Sequence, residues 1–208
     1  MRGDTHGGFG GRSEETGQQK RWDRASGRPY IVLCASRTRA EQARRRVGGI
    51  LGGLGLQLHP DKTRVACLTR GHEGFDFLGF HLRKVESWKW RGRYYLQRWP
   101  SGRAMAAIRA RVREATGRRF VGHPIEWVVG NLNRVLRGWG AYFRHGNPAR
   151  KFAQIDSYVH QRLAIFASVK HGLHGRNWQR RFTWAWLKAL GVYRLSGRVR
   201  SGAAHALR

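Results

Sequence analysis

The sequence predicts an α+β protein in which a β-rich half precedes a helical half. Three observations carry this. Apolar and polar residues alternate in short runs between residues 64 and 97, and the runs are separated by glycine-containing turns. At Pro100 the period changes. From Met105 to Val169 the apolar residues recur at three- and four-residue spacing, as on one face of a helix.

Residues 1–29 are rich in Gly, Arg and Ser and poor in aliphatics. They cannot offset the entropy of ordering, so they read as a disordered tail. Residues 30–35 (YIVLCA) read as a short strand. Ser36, Arg37 and Thr38 can cap a helix running to about Leu54, with Ala40, Ala43, Val47, Ile50, Leu51 and Leu54 on one face and Gly55 as its stop. His59 to Thr63 is a turn, residues 64–69 a strand, and residues 75–83 its returning partner in a hairpin. Residues 88–97 read as a further strand.

Three helices follow. The first carries Met105, Ile108, Val112 and Ala115 and ends at Gly117. The second starts at Pro124 and carries Ile125, Val128, Val129, Leu132, Val135, Leu136 and Trp139. After the break Gly146-Asn147-Pro148, the third carries Phe152, Ile155, Tyr158, Val159, Leu163, Phe166 and Val169. A basic, aromatic tail runs over residues 171–208, with one short helix near 182–190.

Charge is the strongest guide to function. The 208 residues hold 41 Lys+Arg against 12 Asp+Glu, a formal net charge of +29. Such a chain repels itself until a polyanion neutralises it, and nucleic acid is the polyanion its spread of cations fits. A membrane surface fits less well, because the cations form no single cluster beside an apolar span. Cys34 and Cys67 lie in apolar runs and read as buried thiols in a reduced, cytoplasmic protein. There is no CxxC pair, no metal spacing among the ten histidines, and no phosphate loop or Ser/His/Asp pattern, so neither metal nor cofactor is expected. The acids are scattered, and Asp61, Asp76 and Asp156 read as caps or ion-pair partners.

Two stretches interleave aromatic and basic residues. In FDFLGFHLRKVESWKWRGRYYLQRW (75–99), Phe75, Phe77, Leu78 and Phe80 read as core, while Trp88, Trp90, Arg91 and Arg93 read as a face for bases and phosphates. Gly79 marks either a close backbone approach or a bulge. In LNRVLRGWGAYFR (132–144), Arg134 and Arg137 share one helix face and Trp139 and Phe143 another. Gly138 and Gly140 cost this helix roughly 1 kcal/mol each. That cost fits tight packing or the close approach of a phosphate.

Four ordered segments, LGLQLHPDKT, EGFDFLGFHLRK, NLNRVLRGWGAYFRHGN and FAQIDSYVHQRL, resemble the C-terminal portion of group II intron reverse transcriptase/maturases, and LGVYRLSGRVR resembles that family's tail. The resemblance implies a partial palm sheet with a primer-grip-like hairpin at Phe77, Leu78, Gly79 and Phe80 (residues 30–97). A three-helix thumb, the maturase-specific or X domain, would follow (98–170). It also implies intron RNA as partner, with DNA open as a second ligand. The family's Tyr-Ala-Asp-Asp motif should precede residues 30–34, where this chain reads Ser26-Gly27-Arg28-Pro29. No catalytic residue and no polymerase activity are therefore expected of this chain alone. A truncated relic, and a split enzyme whose fingers and palm come from a separate chain, both stay open. On this reading the RNA-binding residues are Arg91, Arg93, Arg134, Arg137, Arg144, Arg150 and Lys151, with Trp88 and Trp90.

Overall fold

The structure, a computed structural model, describes residues 30–71, 73–173 and 181–200. The tail expected over residues 1–29, and residues 174–180 and 201–208 of the basic tail, lie outside the described residues. The fold is α+β and falls into two compact units, Met1–Leu58 and His59–Arg208. No described helix is long and apolar enough to cross a membrane.

The described part of the first unit is one helix and its flanks. Helix α1 spans Arg37–Gly53, with the Ser36 hydroxyl accepting the Arg39 N–H at 3.3 Å. Its end is a paired closure: Leu56 N–H donates to Leu51 and Gly55 N–H to Gly52, with Gly55 at φ 71°. The half-buried stripe is Ala40, Ala43, Val47 and Leu51, and no residue of α1 is buried. The strand expected at residues 30–35 does not form. Tyr30, Ile31, Val32 and Leu33 are exposed, Leu33 at 82%. Four apolar residues make a strand only beside another strand, and none pairs with them among the described residues.

The second unit begins with a 3-10 turn, Pro60–Lys62. Residues 63–68 form no regular element and Thr69 opens a 3-10 turn, which corrects the strand expected at 64–69. Side chains hold this segment where a ladder was expected. The Glu73 carboxylate accepts the Cys67 N–H, and Arg64 and Arg83 donate to the carbonyls of Gly74 and Gly71. Cys34 and Cys67 are both exposed, a further correction, because neither lies in a formed strand.

The sheet is antiparallel in the order β1 (Gly74–Phe77), β2 (Phe80–Glu86), β3 (Tyr94–Pro100). Residues 75–83 are therefore two strands. Leu78 (φ 48°) and Gly79 (φ 80°) form the two-residue turn between them, and Phe77 pairs with Phe80. The strand expected from residue 88 starts only at Tyr94, since residues 87–93 form the β2–β3 connection.

Helices α2 (Gly102–Ala115), α3 (Ile125–Phe143) and α4 (Ala149–Lys170) pack around one core. It contains Met105, Ile108 and Val112 from α2, Val128, Leu132 and Leu136 from α3, and Phe152, Ile155, Val159 and Leu163 from α4. These are largely the periodic positions of the sequence. A short helix, α5 (Trp184–Ala189), adds Leu187, and the strap after it adds Leu195. Two polar side chains pin that strap. Asn133 bonds the Gly191 carbonyl and the Tyr193 N–H at 2.8 and 2.7 Å. Asp156, 5% exposed, accepts the N–H groups of Leu195 and Ser196 at 2.9 and 2.8 Å.

Candidate nucleic-acid interface

The β2–β3 connection is short and internally braced. Glu86 accepts the Gly92 N–H at 2.7 Å, Ser87 N–H donates to the Arg93 carbonyl at 2.7 Å, and Gly92 turns at φ 79°. The bracing uses backbone and acid, so the aromatics are left outside. Trp88 is 93% exposed and Trp90 is 56% exposed. Lys89 and Arg93 lie 5.0 and 5.9 Å from the Trp90 ring, and Arg91 is exposed beside them. An indole held in water by a braced loop costs hydration and gains nothing from the fold, but it offers a free face for a base.

The outer face of α3 presents Arg134 and Arg137, both exposed. Arg134 is steadied by Asn131 at 2.8 Å, and Arg137 lies over the Tyr193 ring at 5.6 Å, with Arg198 over the same ring at 5.1 Å. The glycines of this helix now separate. A Cβ at Gly140 would meet Leu195 Cδ2 at 2.5 Å, so tight packing accounts for that glycine. A Cβ at Gly138 would meet nothing within 4 Å, so packing does not account for it. Arg144 follows at the end of α3, and Arg150 and Lys151 stand in the first turn of α4.

The primer-grip-like residues sit elsewhere, where the sheet meets the helices. Phe80 packs on Tyr142 and Phe143, with ring centroids 5.4 and 4.8 Å away. Gly79 lies close under Phe143, and its carbonyl accepts the Ser101 N–H that opens α2. The basic residues singled out by sequence thus occupy the β2–β3 loop, the face of α3 and the start of α4. They are surface groups on separate elements of one unit, a distribution suited to a long polyanion. Asp156 serves as the cap expected of it, and Asp76 bonds His81 at 2.7 Å. Asn133 was not singled out. Its signal was a polar residue inside the apolar stripe of α3, which is stable there only with partners.

Residues 105–185 match the family model of the group II intron, maturase-specific domain. No curated protein matches the chain. The matched stretch runs from Met105 in α2, through α3 and α4, to Ala185 in α5. Two of the resembling segments, residues 131–147 and 152–163, and most of the helical core described above fall within this matched stretch, which is similar to the group II intron maturase-specific domain.

Proposed function

We propose that this chain binds intron RNA through the phosphate backbone and favours the folded, splicing-competent intron, while the chemistry of splicing stays with the RNA. The observation that carries this reading is the shortage of acid on the maturase-specific domain. Between residues 105 and 185 the acids are Glu114, Glu126 and Asp156. Glu114 is engaged by Arg111 and Arg119, and Asp156 by the strap. Among the described residues, Arg134, Arg137, Arg144, Arg150 and Lys151 have no acidic partner. Their charge is best neutralised from outside. Trp88, Trp90, Arg91 and Arg93 add a stacking platform for unpaired bases.

The test is binding of the full chain to a structured intron RNA over a range of salt. Each phosphate contact should add roughly 0.7–0.9 to the log–log slope. Trp88→Ala should weaken binding to unpaired RNA by about 1–3 kcal/mol, since base stacking on an aromatic is of that size, and leave the fold unchanged. A binding constant indifferent to salt counts against the reading.

A second reading has its own support. The exposed segment 30–34 and the unburied stripe of α1 suit a polypeptide partner, such as a chain carrying fingers and palm. Polymerase activity that appears only when such a chain is added would favour it.

A further inference from the structure

Helices α2 and α4 pack side by side and share an open depression on their outer side. An open, shallow groove of about 550 Å³ lies there, lined by Arg109 of α2 and by Arg150, Ala153, Gln154, Ser157, Tyr158 and Gln161 of α4. The α4 residues recur at positions 150, 154, 157 and 161, which is one helix face. At 1.5 Å per residue this face is about 16 Å long, on the order of five nucleotide steps of a helical strand. All of these side chains except Ala153 offer a hydrogen-bond donor, and no carboxylate lines the groove. Among the described residues neither arginine has an ion-pair partner.

Resting on the RNA-binding reading above, we infer that the α2–α4 groove is a seat for the sugar–phosphate backbone of double-helical RNA. Arg, Ser, Gln and Tyr are the side chains that contact phosphate and sugar oxygens. Duplex RNA presents phosphates and 2′-hydroxyls to a protein rather than readable base edges, so a donor-rich groove without an exposed aromatic fits it. The tryptophans of the β2–β3 loop suit the opposite case, unpaired bases. A protein partner fits the groove poorly, because protein interfaces are built on buried apolar or aromatic anchors, and here Tyr158 is already packed against the core. The arginines therefore divide in function: Arg109 and Arg150 grip paired stems, and the loop takes single-stranded segments.

The experiment compares the full chain with an R109Q/R150Q double variant for binding to an RNA hairpin stem and to an unpaired RNA of equal length, as salt is varied. The variant should bind the stem about tenfold or more weakly at low salt, with a log–log slope shallower by roughly 1.5, the value for two lost phosphate contacts. The unpaired RNA should be affected much less. R109K/R150K should restore the slope, because charge is kept. Gln154→Glu should weaken stem binding through repulsion while leaving both arginines in place, and helicity by circular dichroism should match the parent in all three. An unchanged slope in R109Q/R150Q, with steep salt dependence in the parent, overturns the groove and leaves the RNA-binding reading standing. Equal losses on stem and unpaired RNA overturn the duplex assignment, and polyglutamate competing as well as the stem at equal charge makes the groove a general anion surface. Failure of the parent to bind either RNA removes the inference together with the reading it rests on.

Discussion

Tyr142 donates its hydroxyl to the carbonyl of Leu78 at 2.8 Å, across 64 residues of chain. The bond ties the turn of the β1–β2 hairpin to the last turn of α3. Gly79 beside it lies under the Phe143 ring and accepts the Ser101 N–H at 2.8 Å. The turn is therefore held from two helices at once, and the sheet is carried by the helical core. Tyr142→Phe should cost about 1 kcal/mol, the net worth of one such hydrogen bond. Gly79→Ala should cost more, because it also strains a positive φ and presses a methyl on Phe143. Urea unfolding of the full chain checks both, and a midpoint unchanged in both variants would mean that the hairpin is secured elsewhere.

The two glycines of α3 should respond in opposite ways. Gly138→Ala adds a methyl into open space and removes a helix penalty, so it should stabilise the fold by about 1 kcal/mol. Gly140→Ala drives a methyl into Leu195, which is fully buried and cannot swing away. Overpacking of that kind costs about 1–3 kcal/mol. If the outer face of α3 meets RNA closely, Gly138→Ala should also lower RNA affinity while raising thermal stability. A rise in both would show that this face is free of ligand.

Asp156 is the one buried acid among the described residues, and its task is structural. Its two oxygens take the N–H groups of Leu195 and Ser196, and Arg194 stands 4.0 Å away. Asp156→Asn turns one acceptor into a donor that faces an N–H. The expected loss is about 1.5–3 kcal/mol, as for a charged, buried hydrogen-bonded group. The strap should open before the helices do, so Leu195 and Ser196 amides should exchange faster in the variant than those of α4.

The helices were legible because each buries a continuous face, and periodicity alone finds Val128, Leu132 and Leu136 or Ile155, Val159 and Leu163. The candidate interface was legible in part. Trp88 and Trp90 were marked by interleaving with cations, although as strand residues, whereas they belong to a braced loop. Residues 30–34 misled because a strand depends on its neighbours, which composition cannot supply. The Leu78-Gly79 turn was concealed because leucine rarely takes a positive φ; tertiary contacts from Tyr142, Phe143 and Ser101 hold it there. Arg109 carries no mark in the sequence, because only the packing of α2 on α4 puts it on the same groove as Arg150.

Primer extension tests the expectation drawn from Ser26-Gly27-Arg28-Pro29. Two-metal polymerisation needs paired carboxylates, and a guanidinium in that stretch repels the metals. The full chain, with an RNA template, Mg²⁺ and deoxynucleotides, should give no extension above a blank. Template-dependent product from this chain alone would refute the expectation and point to carboxylates elsewhere.

Limited trypsin digestion should divide the chain sharply. In the first unit α1 offers Arg37, Arg39, Arg44, Arg45 and Arg46 on a helix with no buried residue, so local opening there costs little. In the second unit the arginines of α2, α3 and α4 sit on helices whose other faces form the core, so cleavage there must await unfolding of that core. The sheet should follow the helices, because the Tyr142–Leu78 and Ser101–Gly79 bonds fix its hairpin to them. Its one weak point is the β2–β3 loop, where Lys89, Arg91 and Arg93 are exposed. Cuts should thus appear first within residues 30–58, next at the loop, and last within residues 102–170. Structured RNA with an unpaired segment should slow the loop cuts selectively, since bases stacked on Trp88 and Trp90 shield the bonds beside them. Survival of residues 30–58 for as long as the three helices, in RNA-free protein, would mean that α1 has found a cover of its own, and the case for a partner chain on that stripe would fall.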